Sequence, residues 1–187
     1  MFITSDLFPA FHSETKTMVF VDGENLAIRY ADELKVRKIG SIASVQYLKN
    51  VYVWSNRFYG QLHRNAKTIR IHYYTSVQGD RVRLDEVTAQ LRNLRIEQPS
   101  VFAKKSGHRS KRVDISLATD MLLHAARRNY ESAVLVAGDE DYVPLVRAVK
   151  AEGCRVFLWF IENGLSPILE QSVDRFFNIE DYLFTPD

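Results

Sequence analysis

Cysteine is nearly missing from this chain: Cys154 is the only one in 187 residues. A lone cysteine forms no internal disulfide and no cysteine-based zinc site, and it predicts a reducing, cytoplasmic setting. Long apolar runs are missing too. Stretches such as 156–161 fall far short of the roughly 20 residues that a membrane-spanning helix needs, so no membrane partner is expected. Residues 1–17 mix Asp6, His12, Glu14 and Lys16 with Pro9 and lack a charged start followed by an apolar block, which argues against a secretory signal. No sign of charge is in excess: 25 Lys and Arg stand against 23 Asp and Glu, so composition by itself does not announce nucleic acid. The chain shows no internal repeat or low-complexity tract. It also lacks the glycine-rich turn that a dinucleotide-binding enzyme needs after its first strand, because Gly23 stands alone there.

Apolar side chains, by contrast, make up 46% of the chain and aromatics 12%, enough to bury one sizeable core but too little for two comfortable domains. One domain is expected from residue 18 to 187, behind an N-terminal extension of residues 1–17. Short β-branched and aromatic runs predict strands at 18–21, 51–54, 68–74, 101–103, 133–137 and 155–160. Apolar residues at helical spacing predict helices at 25–34, 80–97, 114–128 and 141–152, with Pro99 and Gly153 as stops. Residues 55–67 are polar and basic, and closing helices are expected from about residue 166. Strands alternating with helices argue for an α/β sandwich around a mostly parallel sheet.

In such a sheet the carboxyl ends of the strands carry the active site. Asp22 ends the first strand, Asp139 follows the 133–137 strand, and Asp141 comes two residues later where a helix begins. Converging carboxylates repel and raise one another's pKa, so a cluster of them is stable chiefly around a hard divalent cation, in outline a magnesium or manganese site. The competing reading is that Asp22 and Asp139 simply cap helices by accepting backbone N–H bonds. The five histidines show no metal-ligand spacing, and His63, His72 and His124 read as surface or packing residues.

Three blocks then become specific together. Asp22-Gly23-Glu24-Asn25 follows the first strand; Lys111-Arg112-Val113-Asp114 is followed six residues later by Asp120; and Gly138-Asp139-Glu140-Asp141-Tyr142-Val143-Pro144-Leu145 comes late. This set resembles the NYN domain family, whose LabA-like members belong to the PIN-like nuclease superfamily. The resemblance spans residues 18 to 161. It implies a three-layer α/β/α sandwich, PIN-like and so Rossmann-like, and a metal-dependent ribonuclease. It further implies that Asp22, Asp114, Asp139 and Asp141 hold one or two Mg²⁺ or Mn²⁺ ions, with Asn25 contacting phosphate or orienting Asp22. Asp120 is a further ligand candidate, but six helical steps turn it about 120° from Asp114, and pairing with His124 four residues on is its alternative. Two positions depart from the family's pattern: Glu24 stands where a small residue is common, and Arg112 where Gly is common.

The expected partner is single-stranded RNA. Lys104, Lys105, Arg109, Lys111 and Arg112 crowd the approach to Asp114, either as a rim that follows phosphates or as a solvated loop. Arg57, with Phe58, Tyr59, Arg64 and Lys67, forms a second candidate rim where the rings stack on bases, unless those rings pack against the sheet. A regulatory protein that keeps the fold without cleaving is the alternative function. A phosphohydrolase of the haloacid dehalogenase type is excluded, because it needs a second Asp two residues after the first-strand one and Glu24 stands there.

Overall fold

Side chains alternate between the two faces of a strand, and in this protein both faces of the central sheet are apolar. The computed structural model describes residues 15–64, 67–104 and 111–186. Six strands form the sheet: β1 (Lys16–Asp22), β4 (Lys67–Val77), β5 (Gln98–Ala103), β6 (Ser132–Val136), β7 (Arg155–Phe160) and β8 (Arg175–Asn178). Their spatial order is β5-β4-β1-β6-β7-β8, and every pairing is parallel. The remaining two strands, β2 (Val45–Leu48) and β3 (Tyr52–Ser55), make a separate antiparallel hairpin.

Along β1, Val19 and Val21 enter one core and Met18 and Phe20 the other. The first core is closed by α1 (Gly23–Arg37), α2 (Asn56–Arg64), α3 (Arg81–Asn93), the hairpin and α7 (Glu180–Phe184). Aromatic edges knit it together: Trp54 meets Phe58 at 4.7 Å and Tyr73 at 5.9 Å between ring centroids, and Phe58 meets Trp159 at 5.3 Å. The second core lies under α4 (Lys111–Ala126), α5 (Val143–Ala151) and α6 (Pro167–Ser172), with Val113, Leu117, Met121 and Ala125 forming the inward stripe of α4. The result is an α/β/α sandwich.

Several elements differ from the sequence expectation. The helix predicted over 80–97 ends at Asn93, because Arg95 turns into the left-handed region and lets Ile96 drop into the core. Pro99 lies inside β5 instead of before a strand, which is tolerated because β5 is an edge. The polar stretch after β3 is the helix α2, whose inward residues Phe58 and Leu62 are buried. The closing segment is not helical throughout: the short strand β8 separates α6 from α7. Among the described residues no helix is long and apolar enough to cross a membrane.

Counting the sheet strands in chain order gives 3-2-1-4-5-6. The chain leaves β1 toward one edge and returns to start β6 on the other side, so the order reverses between β1 and β6. Loops diverge there at the carboxyl ends of the strands and open a crevice, which is where ligands bind in folds of this topology.

Candidate functional site

Asp22 stands at that crevice as the last residue of β1 and is buried. Its Oδ1 accepts the backbone N–H of Asn25 at 3.0 Å, so it caps α1. Its Oδ2 accepts the Tyr142 hydroxyl at 3.0 Å. Tyr142 closes the 3-10 turn Glu140–Tyr142 after β6, and its oxygen also lies 3.2 Å from Oδ1 of Asp114 in the first turn of α4. Asp22 and Asp114 therefore meet around one hydroxyl, with a single proton to serve two carboxylate oxygens. Burial, followed by the charges of Asp22 and Asp114, pushes the Tyr142 pKa well above its ordinary value and keeps that proton in place.

Asn25 ties the third carboxylate in. Its Nδ2 donates to Oδ2 of Asp139 at 3.2 Å, and its Oδ1 accepts the Gly138 N–H at 3.2 Å, which locks the amide orientation. The side chain thus orients Asp139, and the backbone serves Asp22. Two glycines make this closeness possible. A Cβ on Gly23 would collide with the ring of Tyr73, and one on Gly138 with Phe160 and the Gly164 carbonyl. Asp139 and Asp141 line a shallow cleft of about 450 Å³ together with Glu140, Arg29 and Ser166.

Among the described residues no three His, Cys, Asp or Glu side chains stand close enough to ligate one ion as placed. Mg²⁺ is commonly held by one or two carboxylates and otherwise by water, and the Asp22 and Asp114 pair, with Asp139 beside it, fits that mode. An all-oxygen donor set also suits Mg²⁺ or Mn²⁺ better than softer metals.

Asp120 lies elsewhere in the hydrogen-bond network. Its Oδ2 accepts the Tyr74 hydroxyl at 2.8 Å, and Tyr74 also reaches Nδ1 of His72 at 3.3 Å. The alternative partner, His124, feels the charge of Asp120 and is itself hydrogen-bonded to Asn129 at 2.8 Å. His72 is a packing residue, stacked on Phe20 at 5.0 Å between ring centroids.

Of the RNA-contact candidates, Lys105 and Arg109 lie outside the described residues, as do the side chains of Lys111 and Arg64. Arg112 is exposed at the start of α4. Lys104 pairs with Glu24, its Nζ 2.9 Å from Oε1, and the other Glu24 oxygen is bonded by Ser76. Glu24 departs from the family's small residue because it is buried in this ion pair. Arg57 also has partners within the chain: its guanidinium donates to the Thr185 carbonyl at 2.7 Å and the Asp181 carbonyl at 3.2 Å, holding the C-terminal segment. Phe58 is buried in the core, the packing given as its alternative, and Tyr59 is half-buried with the Arg95 guanidinium 5.6 Å from its ring centroid. The sequence reading missed Arg29, although its position four residues after Asn25 on α1 places both on one helix face. The bridging hydroxyl of Tyr142 was also missed.

The NYN domain profile matches residues 16–180. The chain belongs to the NYN domain family. NYN domains have a PIN-like, nuclease-type fold, and one aspartate from each of the three family-like blocks, Asp22, Asp114 and Asp139, is linked through Tyr142 and Asn25. The fold is also similar to a crystal structure of a protein of unknown function from Vibrio parahaemolyticus, with a TM-score of 0.66 and 18% identity over 95% of this chain and 100% of that one. Comparison with curated proteins returned no match.

Proposed function

We propose that this NYN domain, running from about residue 18, is a divalent-metal-dependent ribonuclease acting on single-stranded RNA in the cytoplasm. The observation that carries the proposal is the meeting of Asp22 and Asp114 on one Tyr142 hydroxyl, with Asp139 joined to the group through Asn25. Asp22, Asp114, Asp139 and Asp141 would hold one or two Mg²⁺ or Mn²⁺ ions. Bound there, the metal supplies a nucleophilic water and charge neutralisation for the oxygens of the phosphodiester. The chain's own residues do the positioning. Asn25 keeps Asp139 turned toward Asp22, and Tyr142 fixes the spacing of Asp22 and Asp114. Arg29, in the cleft beside Asp139, offers a fork of donors to the phosphate that would otherwise be repelled by the acidic wall.

The test is incubation of purified protein with end-labelled single-stranded RNA, with and without Mn²⁺. Metal-dependent cleavage is expected. Saturable RNA binding with no cleavage in any divalent metal would replace the hydrolase with a non-cleaving RNA-binding protein.

A further inference from the structure

A second cavity, of about 480 Å³, opens beside α1 where β4 and β5 end. It is lined by the Glu24 and Lys104 pair, with side chains 5% and 13% exposed, and Glu24 is only two residues along the chain from Asp22. An ammonium has three protons, and here the Glu24 carboxylate and the Asn50 carbonyl engage two of them, at 2.9 and 3.4 Å. Ile28 and Val77 supply apolar wall. Lys49 and Arg83 bring two more cations to the lining, where Arg83 also pairs outward with Glu86 at 3.0 Å. The amides of Asn50 and Gln78 complete a surface that combines apolar area, a few polar groups and positive charge.

The volume lies within the range of pockets that hold small ligands, about 300–1,000 Å³. The lining matches the parts of a nucleotide: a flat base against Ile28 and Val77, its polar edge toward the amides, and its phosphate toward Lys104 and Lys49. We infer that this cavity is a nucleotide subsite, which takes an RNA nucleotide flanking the one whose phosphate lies at Asp22 and Asp139. The inference rests on the RNA-hydrolase reading and deepens it. Glu24 and Lys104 then have a purpose beyond packing: their pairing keeps a carboxylate from repelling the strand between the two sites, while one N–H of Lys104 remains for the ligand.

Binding of the four nucleoside monophosphates, titrated calorimetrically in EDTA, tests the subsite apart from the metal chemistry. Lys49→Glu and Gln78→Trp are suitable variants, because both positions are exposed. Wild type and Asp139→Asn are expected to bind at least one nucleotide alike, and each cavity variant to bind it about tenfold or more weakly. Absence of saturable binding to wild type, or equal binding by both cavity variants, overturns the subsite. RNA cleavage in Mn²⁺ separates the two readings. A wild type that binds nucleotide in this cavity without cutting loses the hydrolase and keeps the subsite. A wild type that cuts, with both cavity variants cutting at unchanged KM, keeps the hydrolase and loses the subsite.

Discussion

Asp22 caps α1 and also shares the Tyr142 hydroxyl with Asp114, so acting as a cap does not take it out of the carboxylate cluster. That overlap shapes the first prediction. Asn is as good a cap as Asp, because it keeps an oxygen for the Asn25 N–H, but it has no charge to give a metal. Asp22→Asn and Asp139→Asn are expected to cut RNA cleavage by about a hundredfold or more. Their circular dichroism and melting temperatures should stay at or above the wild-type values, since like charges are being removed. Cleavage at the wild-type rate in both would remove the cluster from the mechanism. A second residue-scale prediction concerns His72. Burial, then the nearby His124, pushes its pKa down to about 4, whereas an unfolded histidine titrates near about 6.5. As pH falls the unfolded chain takes up the proton first, so the contribution of neutral His72 is fully present above about pH 6.5 and is lost toward pH 4. His72→Phe keeps the stacking on Phe20 and should abolish that part of the acid sensitivity. Urea unfolding should show the wild-type drop between about pH 7 and pH 5 shrinking by on the order of 2 kcal/mol in the variant. An equal drop in both would place the acid sensitivity in other groups.

At the scale of elements, the strands and helices that build the site were legible because each carries a strong local signal. Residues 18–21 before Asp22 are uniformly apolar, α4 carries Val113, Leu117, Met121 and Ala125 at helical spacing, and Gly138 to Leu145 punctuates the end of β6. Elements whose identity depends on tertiary partners were not legible. β2 and β8 have four residues each, too few to show a period, and exist because they pair with β3 and β7. The same reason hid the intramolecular partners of Arg57 and Lys104: the carbonyls and the carboxylate that bond them are 124 to 128 and 80 residues away in sequence. Arg29 shows the converse, a cation that helical spacing could have placed beside Asn25. Its position on α1 and in the cleft predicts that Arg29→Ala weakens the handling of phosphate without unfolding the protein. The kcat/KM on a short RNA should fall by about tenfold or more, as expected for loss of a charge-assisted contact of about 1.5–3 kcal/mol. Steady-state kinetics in Mg²⁺ decide it, and an unchanged kcat/KM would mean that the RNA backbone runs past the cleft on another side.

For the molecule as a whole, a net charge of +2 is too small for a general field to gather RNA, so affinity has to come from cations placed along the path of the strand. Arg112 is exposed two residues before Asp114, and Lys111 is its neighbour at the start of α4, on the rim nearest the carboxylate pair. If both touch phosphates, their removal weakens every RNA alike, because phosphate contacts carry no base information. The salt dependence is the more discriminating readout. Each phosphate contact on a single strand adds roughly 0.7 to the slope of log affinity against log salt, so changing Lys111 and Arg112 together to Ala should flatten it by about 1.4. Anisotropy with a non-cleavable RNA in Mg²⁺, over several salt concentrations, compares the two proteins without interference from cleavage. The flattening should be equal for RNAs of different sequence, whereas loss of the nucleotide subsite should act unequally among them. An unchanged slope in the double variant would make Lys111 and Arg112 a solvated helix start and leave Arg29, Lys49 and Lys104 as the cations that guide the strand.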